Sequence, residues 1–114
     1  MVYKVSPLAA LGRDFSLIED HLAQAYRSFG EDYGSASAKA LTRIREALDY
    51  MDGFAVHPHR GTDHPTIRPG LRTVTNNRFI YYFEIDESSS EVRILAVFFG
   101  GADHQRQIMD RLSE

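Results

Sequence analysis

Cysteine is absent from the 114 residues, which excludes disulfide frameworks, thiolate metal sites and cysteine nucleophiles. That suits a reducing compartment, and a cytoplasmic location is the expectation. Lysine is scarce, occurring only at positions 4 and 39. The cations are therefore mostly arginine, which favours planar, directed contacts over diffuse attraction. Long apolar runs are missing too. The strongest, Ile94 to Phe99, is far too short to cross a bilayer, so no membrane association is expected. The first residues do not read as a signal peptide, because Ser6-Pro7-Leu8-Ala9-Ala10-Leu11 is brief and meets Arg13-Asp14. Nor is there an excess of positive charge: the formal net charge of −3 argues against a protein that holds nucleic acid by bulk electrostatics. A 43% hydrophobic and 25% charged composition is that of an ordinary globular chain. With no repeat, low-complexity tract or linker, residues 1–114 are expected to form a single domain.

Periodicity orders the chain. Met1 to Ser6 alternates enough to be a short strand, closed by Pro7. Phe15, Ile18, Leu22, Ala25, Tyr26 and Phe29 then recur at three and four, as one face of an amphipathic helix does. Ser16 with Glu19 fits a capping box, Asp14 is a rival N-cap, and Gly30 is the stop. After the Asp32-Tyr33-Gly34 turn a second helix is expected, with Ala40, Leu41, Ile44, Leu48 and Met51 as its stripe. Ser35 or Ser37 caps it and Gly53 ends it. So short a loop makes the two helices antiparallel. From Phe54 the prolines and glycines of "FAVHPHRGTDHPTIRPG" predict an extended connection.

The segments "LRTVT", "RFIYYFEID" and "VRILAVFF" are rich in β-branched and aromatic residues and read as strands. Asn76-Asn77 suits a tight hairpin turn, and residues 86–90 make a longer loop. Ile108, Met109 and Leu112 mark a last helix from Asp103 to Leu112. The order β-α-α-β-β-β-α predicts an α+β domain with a mainly antiparallel sheet. Strict alternation would put Phe79, Tyr81, Phe83 and Ile85 on one face, with Ile80 and Tyr82 on the other. It would likewise set Ile94, Ala96 and Phe98 against Leu95, Val97 and Phe99. Both faces of the middle strands are then apolar. The helical hairpin covers one, and the last helix covers either all of the other or part of it, in which case what stays bare is a candidate partner surface.

Several groups of residues could carry chemistry. Between His57 and Phe83 stand Arg60, Arg68, Arg72 and Arg78 against one acid, Asp63. The stretch is either a solvated basic strand edge or a recognition surface. His57, His59, Asp63 and His64 are metal-type ligands, but they lie in a proline-punctuated connection without a helical i, i+4 pair, so no metal is expected. A cross-strand Arg72–Glu84 contact is anticipated, and Arg72, Arg78 and Arg93 could converge on an anionic partner. At "VFFGGADHQRQ", Gly100-Gly101 frees the backbone, Asp103 is placed to N-cap the last helix, and His104 reads as a first-turn surface residue.

The order, length and motifs resemble the RelE/ParE superfamily of toxins from bacterial type II toxin–antitoxin modules. The markers are Pro58 with Gly61, Gly70-Leu71-Arg72, the strand containing Tyr82, and Val92-Arg93-Ile94-Leu95. RelE-like members cleave messenger RNA on the ribosome with basic residues and a late tyrosine or histidine, whereas ParE-like members are associated with poisoning DNA gyrase. Ribonuclease-type relatives carry basic residues after the last strand, where this chain has Phe99-Gly100-Gly101-Ala102. Glycines offer no charge to a phosphorane-like transition state. ParE-like relatives have a hydrophobic-His-Gly-Ala-Arg-Asp pattern there. This chain keeps a glycine and Asp103 but has Phe99 at the histidine position and Ala102 at the arginine. The resemblance implies a stoichiometric toxin closer to the ParE branch, with a ParD-like antitoxin and DNA gyrase as partners and no cofactor. Residues assigned to partner binding are Arg60, Arg68, Arg72, Arg78, Arg93 and Phe99. Arg72, Arg78 and His104 would be the catalytic residues of the ribonuclease alternative. A non-toxic interaction module of the same fold is the third class.

Overall fold

The computed structural model describes residues 2–100 and 103–113. Its elements run β1 (Lys4–Pro7), α1 (Leu11–Ser28), α2 (Tyr33–Asp52), a 3-10 turn (Gly53–Ala55), β2 (Thr62–Asp63), β3 (Leu71–Asn76), β4 (Phe79–Asp86), β5 (Glu91–Phe99) and α3 (His104–Leu112). The five strands form one sheet in the order β1-β5-β4-β3-β2. β1 runs parallel to β5, and every other pairing is antiparallel. This is the expected α+β arrangement. The two-residue β2 lies within the connection expected to be merely extended.

The helical hairpin covers one face of the sheet. On α1, Leu11, Phe15, Ile18 and Leu22 recur at three and four and are buried, each contributing about 2 kcal/mol. The helix starts one turn earlier than its capping signals suggested. Its N-cap is Ala10, with no side-chain cap, so neither Ser16 nor Asp14 serves as one. Gly30 does stop it: at φ +98° it lets the Glu31 N–H reach back to the Tyr26 carbonyl. On α2 the cap is Asp32, which accepts from the Ser35 N–H, rather than either serine. The expected turn is thus the helix's first turn. Ala40, Ile44 and Met51 are buried as predicted, joined by Ala36 and Ala47, while Leu41 and Leu48 stay 38% and 43% exposed. The stripe is rotated toward the alanines, which let α2 approach closely.

The opposite face is covered as well. Leu71, Ile80, Tyr82, Leu95 and Ala96 are buried there with Ile108 of α3, flanked by Ile67, Phe98 and Leu112. These residues offer no bare apolar face of the kind anticipated for a partner. Alternation along β5 also fails at one point. The register slips between Tyr82 and Phe83, so Tyr82 faces Ala96 and Phe83 faces Ile94. Leu95 is the extra residue of a bulge. As a result Leu95 and Ala96 both join the α3 side, and Ile94, Val97 and Phe99 all join the hairpin side.

The hairpin turn lies one residue beyond its predicted place. Asn76 pairs with Phe79, and the two turn residues are Asn77 and Arg78 at φ 53° and 71°. In the β4–β5 loop the Asp86 carboxylate accepts from the Ser88 N–H, the Ser88 hydroxyl and the Ser89 N–H. The Ser88 bond is the chief cause that lowers Asp86 from 3.8 to about 2. A depressed carboxylate stabilises the fold above its unfolded pKa and loses that contribution as pH falls through the folded value. Asp86→Asn should therefore flatten the acid limb of stability between pH 3.8 and about 2. Urea midpoints measured across that window are the check.

Candidate functional site

The arginines of the central stretch are placed by β3, β4 and the connection before them, and they do not converge. Arg72 donates to Asp63 at 2.6 Å and to the His59, Arg60 and Gly61 carbonyls at 2.7, 3.2 and 3.3 Å. It pins the 59–63 segment to β3. The anticipated Arg72–Glu84 contact does not form, because Arg72 stands opposite Phe83 in the register. Glu84 instead takes Arg68 at 3.0 Å and Arg93 at 3.3 Å. Arg93 also reaches Asp86 and Glu91. Arg60 donates to the Gly53 and His57 carbonyls and lies 5.0 and 5.1 Å over the Tyr50 and Phe54 rings. Arg78 sits at the opposite end of β3–β4, over the Phe99 ring.

The metal-type residues are likewise dispersed. His59 pairs with Glu87, Asp63 with Arg72, and His64 with the Thr73 hydroxyl. No group of three or more His, Cys, Asp or Glu could hold a metal among the described residues.

On the α3 side, the Tyr82 hydroxyl and His104 Nδ1 share a 2.8 Å hydrogen bond. The His64 ring lies 6.2 Å from that of Tyr82. His104 is in the first turn of α3, as expected, but it is half-buried against the sheet rather than a surface residue. Burial raises the Tyr82 pKa, so its hydroxyl stays protonated near neutrality. Asp103 precedes α3 at φ +59° and makes no side-chain cap, contrary to the role assigned to it. Gly101, expected to free the backbone, and Ala102, at the position of the ParE-like arginine, lie outside the described residues.

A cavity of about 280 Å³ opens between α1, the end of β5 and α3, lined by Arg13, Leu17, His21, Phe98, Phe99 and Gln107 among others. Its floor contains a feature absent from the sequence reading. Asp14, 6% exposed, accepts from Arg111 through both carboxylate oxygens at 2.7 and 3.1 Å. The same carboxylate accepts the Val97 N–H at 3.1 Å, while Arg111 donates to the Leu95 carbonyl at 2.9 Å. β1 pairs with β5 only from Glu91 to Ile94. The ion pair therefore takes over where β1 stops. A signal was present: Asp14 falls on the buried stripe of Leu11, Phe15, Ile18 and Leu22, where an unpaired charge would be costly. Arg43, beside Ala40, Ile44 and Ala47 on α2, carried the same signal. It lies over the Phe79 and Phe99 rings at 5.6 and 5.4 Å.

No protein-family model matches the sequence, and no curated protein matches it. Solved structures do. The chain is similar to the chromosomal ParDE toxin–antitoxin system of P. aeruginosa, with a TM-score of 0.67 and 19% identity over 88% of this chain and 98% of that one. It is similar to the RelBE2 toxin–antitoxin complex of Mycobacterium tuberculosis, with a TM-score of 0.58 and 13% identity over 87% and 99% of the two chains. For a free-state mutant of the E. coli toxin RelE the values are 0.60 and 6%, over 97% and 94%. Strand order, helical hairpin and terminal helix are thus shared with these three structures. The chain has the RelE/ParE fold. No helix is long and apolar enough to cross a membrane among the described residues.

Proposed function

We propose that this chain is the toxin of a type II toxin–antitoxin pair, ParE-like in action. It is a single domain over residues 1–114, works in the cytoplasm, binds DNA gyrase stoichiometrically and is neutralised by a ParD-like antitoxin. The observation carrying this reading is that Arg60, Arg68, Arg72 and Arg93 are spent on carbonyls, rings and carboxylates of the chain itself. A nuclease acting on a polyanion needs several free, convergent cations around the scissile phosphate. Arg72, the first residue assigned to that role, is instead bound to the 59–63 segment.

One observation favours the runner-up, a ribosome-dependent mRNA endoribonuclease. Tyr82 and His104 form a hydrogen-bonded pair with His64 nearby, and such a pair can move a proton. Two assays with purified protein separate the readings: gyrase supercoiling, and cleavage of ribosome-bound message. His104→Ala is expected to leave growth arrest and gyrase inhibition intact. Codon-specific cleavage that vanishes in that variant, with supercoiling untouched, would promote the nuclease. Absence of growth arrest altogether would leave the non-toxic interaction module.

A further inference from the structure

The end of the sheet around Phe99 differs from the rest of the arginine-bearing surface. Arg43 and Arg78 both lie over the Phe99 ring, at 5.4 and 5.1 Å, and neither forms an ion pair among the described residues. Arg43 spends one nitrogen on the Asn77 carbonyl at 2.9 Å, while its Nε is buried with no partner. An orphaned buried donor is unfavourable, and no group among the described residues offsets it. Glu46 and Asp49 line the neighbouring cleft with Asn76, Asn77 and Phe79, yet neither is paired with Arg43 or Arg78. On the other side, His21 lies 6.1 Å from the Phe99 ring and opens onto the 280 Å³ cavity with Arg13 and the exposed Leu17. A chain whose net charge is −3 thus holds two arginines without an ion pair beside a hollow lined by Leu17, Phe98 and Phe99 together with Arg13, His21 and Gln107.

We propose that Arg43, Arg78 and Phe99 form a carboxylate clamp that, with the adjacent cavity, docks an acidic segment of a partner protein. Guanidiniums favour planar oxyanions, which they hold by paired N–H donors. A carboxylate between Arg43 and Arg78 supplies the counter-charge that the fold withholds. An apolar side chain next to it in the partner packs on Leu17, Phe98 and Phe99 at the cavity mouth. Nucleic acid is a poorer match. Strand-binding proteins present an open aromatic face to bases, and Phe99 is already engaged by two guanidiniums and by Phe79 edge-on at 5.0 Å.

This site rests on the reading that the chain works through protein partners, and the test keeps the two apart. The probe is a fluorescein-labelled peptide of alternating glutamate and leucine, followed by anisotropy on the full chain. Arg43→Gln/Arg78→Gln is expected to weaken binding about tenfold, and the exposed Arg78→Gln alone about threefold. Arg45→Gln/Arg106→Gln removes the same charge elsewhere and is expected to change binding little. Circular dichroism confirms that each variant is folded, and the single variant decides if the double is not. Equal weakening by both double variants, no binding by the wild-type chain, or displacement of the peptide by oligothymidylate would each overturn the clamp. Binding without growth arrest refutes the toxin reading and leaves the clamp standing. Growth arrest without binding does the reverse.

Discussion

Asp14→Ala is expected to cost about 3 kcal/mol of folding free energy and to lower the thermal midpoint by roughly 15 °C. Three bonds are lost together. Arg111, whose side chain is 15% exposed, loses both bonds to the Asp14 carboxylate, and the Val97 N–H loses its acceptor. Removing one member of a buried pair is worse than removing both, since the survivor stays desolvated without that bidentate partner. The double variant Asp14→Ala/Arg111→Met should therefore be no less stable than Asp14→Ala alone. Thermal and urea unfolding of the four members of that cycle measure the coupling. Simple additivity of the two single losses would show that the pair is not a unit.

Gly61→Ala is the second substitution with a large expected effect, about 2–3 kcal/mol. Gly61 has φ +84°, and a Cβ there would stand 2.1 Å from the Thr73 carbonyl oxygen, a backbone atom that cannot swing aside. The chain can relieve the clash only by lifting β2 from β3, which unpairs Thr62 from Thr73 and Asp63 from Arg72. The four bonds of Arg72 to residues 59–63 then go with it. Because β2 has two residues, the damage stays local. Amide exchange should quicken at His64, whose N–H donates to the Leu71 carbonyl, while α1 and α2 keep their protection. Uniform loss of protection across the chain would contradict this account.

Much of the fold was legible because its elements have clear periods. The stripe of α1, the β-branched runs of β3 to β5 and the stop at Gly30 are local signals, and local geometry obeys them. What failed to be legible depends on contacts between distant segments. Asp14 resembled an N-cap because nothing nearby reveals that Arg111 lies beside it. Alternation placed Ala96 with Ile94, since a bulge at Leu95 leaves no mark in a run of uniformly apolar residues. The rotation of α2 that leaves Leu41 and Leu48 exposed follows from how closely Ala36, Ala40 and Ala47 let it pack. The site was harder still. Arginine density between positions 57 and 83 suggested a surface for partners, yet charge in sequence says nothing about whether a carbonyl or a carboxylate already waits for it. Phe99 and Arg78 were named from sequence, and the fold does bring them together. Arg43, from a helix far away in the chain, completes that group.

The place where β1 stops has a consequence for how copies of this protein meet one another. Beyond Ile94 no strand among the described residues pairs with the outer side of β5, so the backbone donors and acceptors of its upper half need other partners. Asp14 and Arg111 occupy that stretch with side chains, at the Val97 N–H and the Leu95 carbonyl, and a carboxylate and a guanidinium are poor templates for a neighbouring β-strand. The pair thus acts as a guard against edge-to-edge association. A protein that has lost it would be less stable, and its solubility would fall with concentration as sheets from separate molecules joined at β5.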